Sequence, residues 1–190
     1  GGIYNGGYGE TVLTSSTVTG NSAGAGGGIF NFEGYLRVEL STISENLAAI
    51  SGGGIRNFEG QVRIDSSTIS GNVSQSSGGG LYTFKDPGFG IQPLSAGAIR
   101  AVPEFSASQA PVSLSPGLVE IVNSTISGNI ASQNGGGVRI SGLGEVRLVS
   151  STVTDNTANR GGGVFTNPTA VLSLTSTIVA GNTANLDGPN

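Results

Sequence analysis

Residues 52–72 read GGGIRNFEGQVRIDSSTISGN, and this stretch decides the fold because apolar and polar residues alternate in three short segments of it. The segments are residues 55–57, 62–65 and 68–70. Alternation with a period of two is typical of β-strands, and the β-branched residues in the segments favour the same structure. Glycine and asparagine at the segment ends supply the backbone angles that tight corners need. The stretch therefore predicts three strands separated by corners.

The same pattern recurs along the chain about every 26 residues. The triplet Gly-Gly-Gly begins at Gly26, Gly52, Gly78, Gly135 and Gly161, in steps of 26, 26, 57 and 26 residues. A Ser-Thr-Ile/Val marker keeps the same step, with its threonine at Thr17, Thr42, Thr68, Thr125, Thr152 and Thr177. An asparagine follows each marker, at Asn21, Asn46, Asn72, Asn129, Asn156 and Asn182. The markers agree on six repeats.

The fourth repeat is interrupted by a proline-rich stretch. The 57-residue step exceeds the 26-residue step by 31 residues, and the excess falls at residues 86–116, which hold five of the seven prolines. Proline cannot donate to a strand ladder. We therefore expect residues 86–116 to be an insertion loop that protrudes from the stack, and residues 1–190 to form a single domain around it.

A repeat of three strands cannot bury its apolar side alone. Stacking repeats about 4.8 Å apart buries a continuous core and pairs each strand with its counterparts above and below. Helical repeats would need longer helix-forming runs than this chain has. The sequence thus predicts an all-β fold, a right-handed parallel β-helix (a solenoid) of about six rungs.

Alternation assigns residues to the inside of this stack. In the third strand the inward residues are predicted to be Val18, Ile43, Ile69, Ile126, Val153 and Ile178. In the second strand they are predicted to be Leu36/Val38, Val62/Ile64, Val119/Ile121 and Val146/Leu148. Alanines two residues after the asparagines mark places with little space: Ala23, Ala48, Ala131, Ala158 and Ala184.

The asparagine row is interpreted as a structural ladder at a corner, with side-chain amides bonded from rung to rung. Buried amides must be paired, and stacking pairs them. A metal or glycan site on this row is the alternative, which six equivalent copies disfavour.

Two of these segments carry a family resemblance. Residues 52–57 (GGGIRN) and 67–72 (STISGN) resemble the right-handed parallel β-helix repeats of bacterial surface proteins, and are similar to the repeats of polymorphic outer-membrane proteins and related adhesins. Residues 176–184 are similar to the last repeats of large secreted β-helix proteins. The resemblance covers the chain outside residues 86–116 and implies a secreted, extracellular or cell-surface protein, often an adhesin or a passenger.

Composition excludes several functional classes. The chain has no Cys and no His, so disulfides, thiolate metal sites and the commonest general base are all missing. The net charge is −4 and the eight basic residues are scattered, which argues against nucleic-acid binding. No apolar run is long enough to cross a membrane as a helix. The sequence predicts no cofactor and no metal.

An enzyme built on a β-helix would need clustered carboxylates on one face. Glu33 and Glu59 occupy equivalent places on adjacent rungs, as do Glu39 and Asp65. Arg37 and Arg63 lie two residues from the second pair, so a salt network is the favoured interpretation over a catalytic pair. We therefore predict that the protein is not an enzyme, with a polysaccharide lyase or hydrolase as a weaker alternative.

Two outward rows are candidates for binding. Aromatic residues and arginines suited to sugar stacking, partner docking or mutual cation–π packing follow the first-strand aliphatic residue: Tyr4, Phe30, Arg56, Tyr82, Arg139 and Phe165. Cover by the insertion or by a neighbouring subunit is the alternative to binding for this row. Phe32, Phe58 and Phe84 form a further row, expected to pack at a corner. Hydroxyl columns such as Thr42/Ser44 and Thr68/Ser70 resemble those of β-helical ice-binding proteins, a weaker alternative.

Open strand edges at the two ends of the stack suggest the leading hypothesis. An exposed edge invites pairing with another chain, so we expect either head-to-tail stacking of copies or flanking repeats of a longer protein. The chain begins without Met or a signal peptide, which suggests a processed chain or a piece of a longer one. The predicted function is a structural extracellular module, a filament subunit or adhesin stalk, and the alternative is a glycan-binding module that contacts host or cell-surface glycans.

Overall fold

The computed structural model describes residues 1–88 and 117–185, and in that part of the chain it contains 24 β-strands and no helix. The strands form four parallel sheets of six strands each. Every strand pairs with the strand four places further along the chain, so one turn of the chain adds one strand to each sheet. The prediction of an all-β parallel β-helix of six rungs is confirmed, and its right-handed sense stays a prediction.

Each sheet collects equivalent strands from all six rungs. Sheet 1 contains β1 (Ile3–Gly6), β5 (Ile29–Phe32), β9 (Ile55–Phe58), β13 (Leu81–Lys85), β17 (Val138–Gly142) and β21 (Val164–Thr166). Sheet 2 contains β2 (Glu10–Thr14), β6 (Tyr35–Glu39), β10 (Gln61–Asp65), β14 (Leu118–Val122), β18 (Glu145–Val149) and β22 (Val171–Thr175). Sheet 3 contains β3 (Thr17–Thr19), β7 (Thr42–Ser44), β11 (Thr68–Ser70), β15 (Thr125–Ser127), β19 (Thr152–Thr154) and β23 (Ile178–Ala180).

Sheet 4 was not expected, so the prediction of three strands in each rung was wrong. It contains β4 (Ser22–Ala25), β8 (Leu47–Ser51), β12 (Val73–Ser74), β16 (Ile130–Ala131), β20 (Thr157–Ala158) and β24 (Thr183–Ala184). Several of these strands have only two residues, too few to show alternation in the sequence. They form because the asparagine corner before them is stacked in register, which places equivalent backbones side by side.

The core is a set of aliphatic columns inside the stack. The inward residues predicted for the second strand are buried, as are those of the third strand from Val18 to Val153. In the last rung the register differs from the prediction, because Val179 and not Ile178 pairs with Val153. Ile178 instead pairs with Thr152 on the outward side and is 61% exposed. The Ser-Thr-Ile marker is displaced by one residue there, so Thr177 occupies the corner held by Ser151 in the rung before.

Glycine triplets let adjacent rungs approach closely at the corner before sheet 1. A Cβ on Gly53 would lie 2.4 Å from the carbonyl oxygen of Gly79 and 2.6 Å from that of Val73. Both atoms belong to the backbone, so the contact cannot be relieved by a side-chain rotation. The triplets are thus required by packing between rungs at this corner.

The predicted insertion at residues 86–116 lies outside the described residues from residue 89 onward. On its two sides the stack continues in register: β13 pairs with β17 and β10 pairs with β14.

Candidate functional site

The outward side of sheet 1 carries the row of aromatic residues and arginines. Parallel in-register pairing places its members in one column, one from each rung. We call Tyr4, Phe30, Arg56, Tyr82, Arg139 and Phe165 the aromatic–arginine column. Their side chains point away from the core because the residues on either side of them in each strand point inward.

Neighbouring side chains of the aromatic–arginine column stack on one another. The rings of Tyr4 and Phe30 meet edge to face, with centroids 5.6 Å apart. The Arg56 guanidinium lies between two rings, 5.4 Å from the Phe30 centroid and 5.6 Å from the Tyr82 centroid. The Arg139 guanidinium lies 4.4 Å from the centroid of Phe165. These distances are typical of cation–π contacts, so ring faces within the column are largely occupied by its own arginines.

A second aromatic column runs beside the first on the same sheet face. Phe32 and Phe58 stack in parallel with centroids 5.3 Å apart, and Phe58 and Phe84 follow at 5.4 Å. The Phe30 and Phe32 rings join the two columns, at 6.2 Å. Phe32 and Phe58 end their strands just before a corner, where the sequence predicted packing.

The two arginines are held by polar neighbours and partly desolvated. Arg56 Nη1 donates to Ser51 Oγ at 2.9 Å, and Arg139 Nη2 donates to Asn167 Oδ1 at 2.7 Å. Arg56 Nε and Arg139 Nη1 are buried without a hydrogen-bond partner among the described residues. Burial lowers the pKa of both guanidinium groups, and the charge of Tyr82 opposes this shift at each of them. Arginine nevertheless stays protonated in proteins.

The asparagine column forms a continuous ladder at the corner between sheets 3 and 4. Each side-chain amide Nδ2 donates to the Oδ1 of the asparagine in the next rung, for example Asn46 to Asn72 at 2.9 Å and Asn72 to Asn129 at 3.0 Å. The same Oδ1 also accepts from the backbone N–H of the asparagine before it, at 3.0 Å for Asn46 and Asn72. Hydrogen bonds inside the stack thus occupy these amides, as a structural role requires.

A second amide ladder was missed by sequence reasoning. Asn5 Nδ2 donates to Asn31 Oδ1 at 2.7 Å, Asn31 Nδ2 to Asn57 Oδ1 at 2.8 Å, and Asn57 Nδ2 to Thr83 Oγ1 at 3.1 Å. The signal for it was present in the Gly-Gly-Ile-x-Asn segments of the first three rungs.

The repeat geometry on these rungs has a counterpart among known families. Residues 66–83, which run from the corner before β11 through most of β13, match the Chlamydia polymorphic membrane protein (Chlamydia_PMP) repeat. The chain carries a polymorphic membrane protein (PMP) repeat. No curated protein and no solved structure matches the chain significantly. Together with the six-rung parallel solenoid, the PMP repeat indicates a β-helix protein associated with the bacterial surface or outer membrane.

The PMP repeat and its neighbours carry a charged network on the outward side of sheet 2. Arg37 forms an ion pair with Glu39, and Arg147 forms one with Glu145 at 2.7 Å. Arg63 contacts Glu120 of the next rung, and its Nη2 lies 3.6 Å from Asp65. The Arg37–Glu39 and Arg63–Asp65 pairs were predicted as a salt network, and the link to Glu120 across the insertion was not. Carboxylates occupied in this way are poorly placed for acid–base chemistry.

Glu59 differs from the other carboxylates because it is buried, with 8% of its surface exposed. It occupies the corner after β9 in a left-handed backbone conformation, with φ of 56°, and its Oε1 accepts a hydrogen bond from the backbone N–H of Asp86. Burial raises the pKa of the Glu59 carboxyl, Asp86 and Glu33 add to the rise, and the Asp86 N–H and Lys85 oppose it. Glu33, one rung below, is the residue that the sequence paired with it, and the result is an anchored corner at the entry to the insertion.

Sheet 3 presents two hydroxyl columns on the outward side of the PMP repeat. Register places Thr42, Thr68 and Thr125 in one column and Ser44, Ser70 and Ser127 in the other. In the last rung the positions are held by Ile178 and Ala180, so the hydroxyl pattern does not extend along the whole stack.

Within residues 1–88 and 117–185, no group of three acidic residues is placed to hold a metal ion. The same part of the chain has no helix long and apolar enough to cross a membrane.

Proposed function

We propose that this chain is a non-catalytic structural segment of a bacterial surface protein, a rod that is extended by stacking of further rungs. The observation that carries the proposal is the state of the last rung. Leu174 and Val179 occupy core columns, yet they are 48% and 46% exposed. Leu148 and Val153, their counterparts in the rung before, are fully buried. Exposed core positions beside four unpaired strand edges favour a further rung on this surface.

The first and last rungs also carry complementary halves of the asparagine ladder. Asn182 Nδ2 donates to the carbonyl oxygens of Val153 and Ala180, and the described residues offer it no Oδ1 from a following rung. At the other end, no described donor bonds to the Oδ1 of Asn21. A rung of the Asn21 type placed on the last rung would therefore continue the ladder in register.

The rung that covers this surface defines the form of the function. A rung from a second copy gives a head-to-tail filament, because such a contact does not close on itself. A rung from the same protein gives a longer stalk, the form in which an adhesin or passenger would present other segments away from the cell. Both forms use the same edge-to-edge pairing.

Light scattering and electron microscopy of the purified chain at micromolar concentration test the proposal. End-to-end stacking predicts a mass that rises with concentration and rods with a continuous repeat of about 4.8 Å. Val179→Lys places a charge on the exposed core surface and should suppress this growth, whereas Thr154→Lys, on the outward side of sheet 3, should not. Single short rods at all concentrations would rule out the filament and leave the stalk. Particles that are not rod-shaped would contradict both forms.

Glycan binding at the aromatic–arginine column is a second candidate, favoured by one observation. Tyr4 is 68% exposed, and it adjoins two guanidinium groups and four further rings on one sheet face. A glycan array with Tyr4→Ala, Phe30→Ala and Tyr82→Ala variants tests this function. Binding that disappears in the variants supports it, and binding that persists removes the column from consideration.

A further inference from the structure

The arginines of the aromatic–arginine column lack the acidic partners that arginines on the next sheet have. On sheet 2, Arg37, Arg63 and Arg147 each form an ion pair. On sheet 1, no described carboxylate forms an ion pair with Arg56 or Arg139. Although the chain carries a net charge of −4, this face therefore holds two uncompensated positive charges.

Each of these guanidinium groups has one nitrogen in reach of a ligand. In Arg56, Nη1 is bonded to Ser51 and Nε is buried, which leaves Nη2. In Arg139, Nη2 is bonded to Asn167 and Nη1 is buried, which leaves Nε. The stacked rings fix the guanidinium planes, so an anion meets a donor that is already oriented.

The two charges are spaced along the rod. Arg56 pairs with Tyr82 in the next rung, and Tyr82 pairs with Arg139 in the rung after that. Two rung steps place the arginine backbones about 10 Å apart along the axis. A ligand that contacts both arginines must be extended along the axis and carry anionic groups at intervals.

We propose that the aromatic–arginine column binds an acidic polysaccharide, one that bears carboxylate or sulfate groups, lying along the rod axis with successive anionic groups on Arg56 and Arg139. This inference rests on the glycan-binding candidate function and names the class of glycan. A neutral glycan would depend on open ring faces, but Arg56 occupies the inner faces of Phe30 and Tyr82. The donors that remain are those of the guanidinium groups, which form their strongest hydrogen bonds with carboxylate, sulfate and phosphate oxygens.

Isothermal titration of the whole chain with hyaluronan oligosaccharides, at low and at high salt, tests the proposal. A neutral cello-oligosaccharide of equal length and a poly-glutamate peptide serve as comparison ligands. The Arg56→Gln/Arg139→Gln double variant removes both charges while keeping side chains that can donate hydrogen bonds. Arg147→Gln is the matched control, because that arginine lies on the next sheet and is paired with Glu145.

The proposal predicts binding of the acidic oligosaccharide that weakens at high salt and is reduced at least about tenfold in the double variant. The Arg147→Gln control should bind as the wild type does. Circular dichroism and thermal melting of the double variant establish that a loss of binding is not a loss of fold. Double-variant binding equal to that of the wild type would overturn the proposal, because the anion would then bind elsewhere.

The comparison ligands separate this inference from the candidate function on which it rests. Equal binding of neutral and acidic oligosaccharides would retain glycan binding and overturn the acidic class. No binding of either would overturn both. Preferential binding of poly-glutamate would overturn the polysaccharide and indicate an acidic peptide as the ligand.

Discussion

At the scale of the residue, Asn72 shows what one side chain contributes to the stack. Its Oδ1 accepts from Asn46, and its Nδ2 donates to Asn129 and to the carbonyl oxygen of Ile43 at 2.9 Å. Asn72 is fully buried, so its removal leaves several polar atoms without partners and without water. Buried groups of this kind lose far more when one partner is deleted than they gain when paired.

We therefore expect Asn72→Ala to lower the free energy of unfolding by about 2–4 kcal/mol. The measurement is urea denaturation followed by circular dichroism. Asn21→Ala is the matched control, since Asn21 belongs to the first rung and no described donor bonds to its Oδ1. A loss of equal size in the two variants would contradict the ladder as the cause.

Ile69 tests the assignment of inward and outward positions. It is 1% exposed in β11, so Ile69→Asp buries an unpaired carboxylate in the middle of the stack and should prevent folding. Thr68→Asp changes the adjacent, outward residue of the same strand and should fold. Thermal melting by circular dichroism distinguishes the variants, and a cooperative transition of Ile69→Asp near the wild-type temperature would contradict the inward assignment.

At the scale of the element, the glycine corner before sheet 1 limits how closely two rungs approach. A Cβ at Gly53 meets two backbone carbonyl oxygens, whereas a Cβ at Gly24 meets no atom within 4 Å. Neither residue has a positive φ, so a difference between the variants reports packing between rungs and not backbone strain. We expect Gly53→Ala to lower the free energy of unfolding by about 2–4 kcal/mol and Gly24→Ala to leave it within about 0.5 kcal/mol.

Chemical denaturation of the two alanine variants measures this difference. A Gly53→Ala variant as stable as the Gly24→Ala variant would mean that the rungs can separate locally at no cost.

The corner after β9 should make stability depend on pH through Glu59. Its pKa is higher in the folded protein than the ordinary value of 4.5, so the folded state holds this proton more tightly than the unfolded chain. The contribution of Glu59 therefore becomes less favourable as pH rises from 4.5 through the folded pKa. Glu59→Gln keeps an oxygen for the Asp86 N–H and should be more stable relative to wild type at neutral pH than at pH 4.5.

Urea denaturation across this pH range tests the prediction. Glu33→Gln is the control, because Glu33 occupies the same corner one rung below and no described backbone N–H donates to its side chain. A stability difference between Glu59→Gln and wild type that stays constant with pH would remove Glu59 as the source.

The elements that sequence reasoning predicted well are those with a repeated chemical marker. The asparagine after Ser-Thr-Ile fixed the number of rungs, and alternation placed residues such as Ile64 and Leu148 inside. Sheet 4 was missed because Val73–Ser74 and its equivalents are too short to show a period. The last rung was misassigned because Thr177 and Ile178 imitate the marker one residue early. Of the candidate site, the column itself was predicted, but the insertion of Arg56 between two rings depends on side-chain directions that spacing does not specify.

At the scale of the whole molecule, stability should be uneven along the rod. The middle rungs are covered on both sides, whereas Val171, Leu174 and Val179 of the last rung are each about half exposed, at 52%, 48% and 46%. Local opening starts where few apolar contacts hold a strand. We expect amide hydrogens of β22 and β23 to exchange at least about tenfold faster than those of β14 and β15.

Hydrogen exchange read by mass spectrometry at low protein concentration measures this gradient. Repeating the measurement at high concentration adds information, because end-to-end stacking would protect β22 and β23 and leave β14 and β15 unchanged. Uniform protection along the rod at low concentration would contradict the gradient.

In-register stacking also has a consequence for how such a protein changes over evolutionary time. Each rung meets the next through equivalent residues, as Thr42, Thr68 and Thr125 do in sheet 3. Duplication or loss of one 26-residue unit, by recombination between similar coding segments, therefore leaves every remaining residue with neighbours of the same kind. Such an event changes the length of the rod by one strand spacing, about 4.8 Å, whereas a gain or loss of a few residues within a strand would displace a core column. The reach of the rod can thus be altered in whole steps without any change in the chemistry that holds it together.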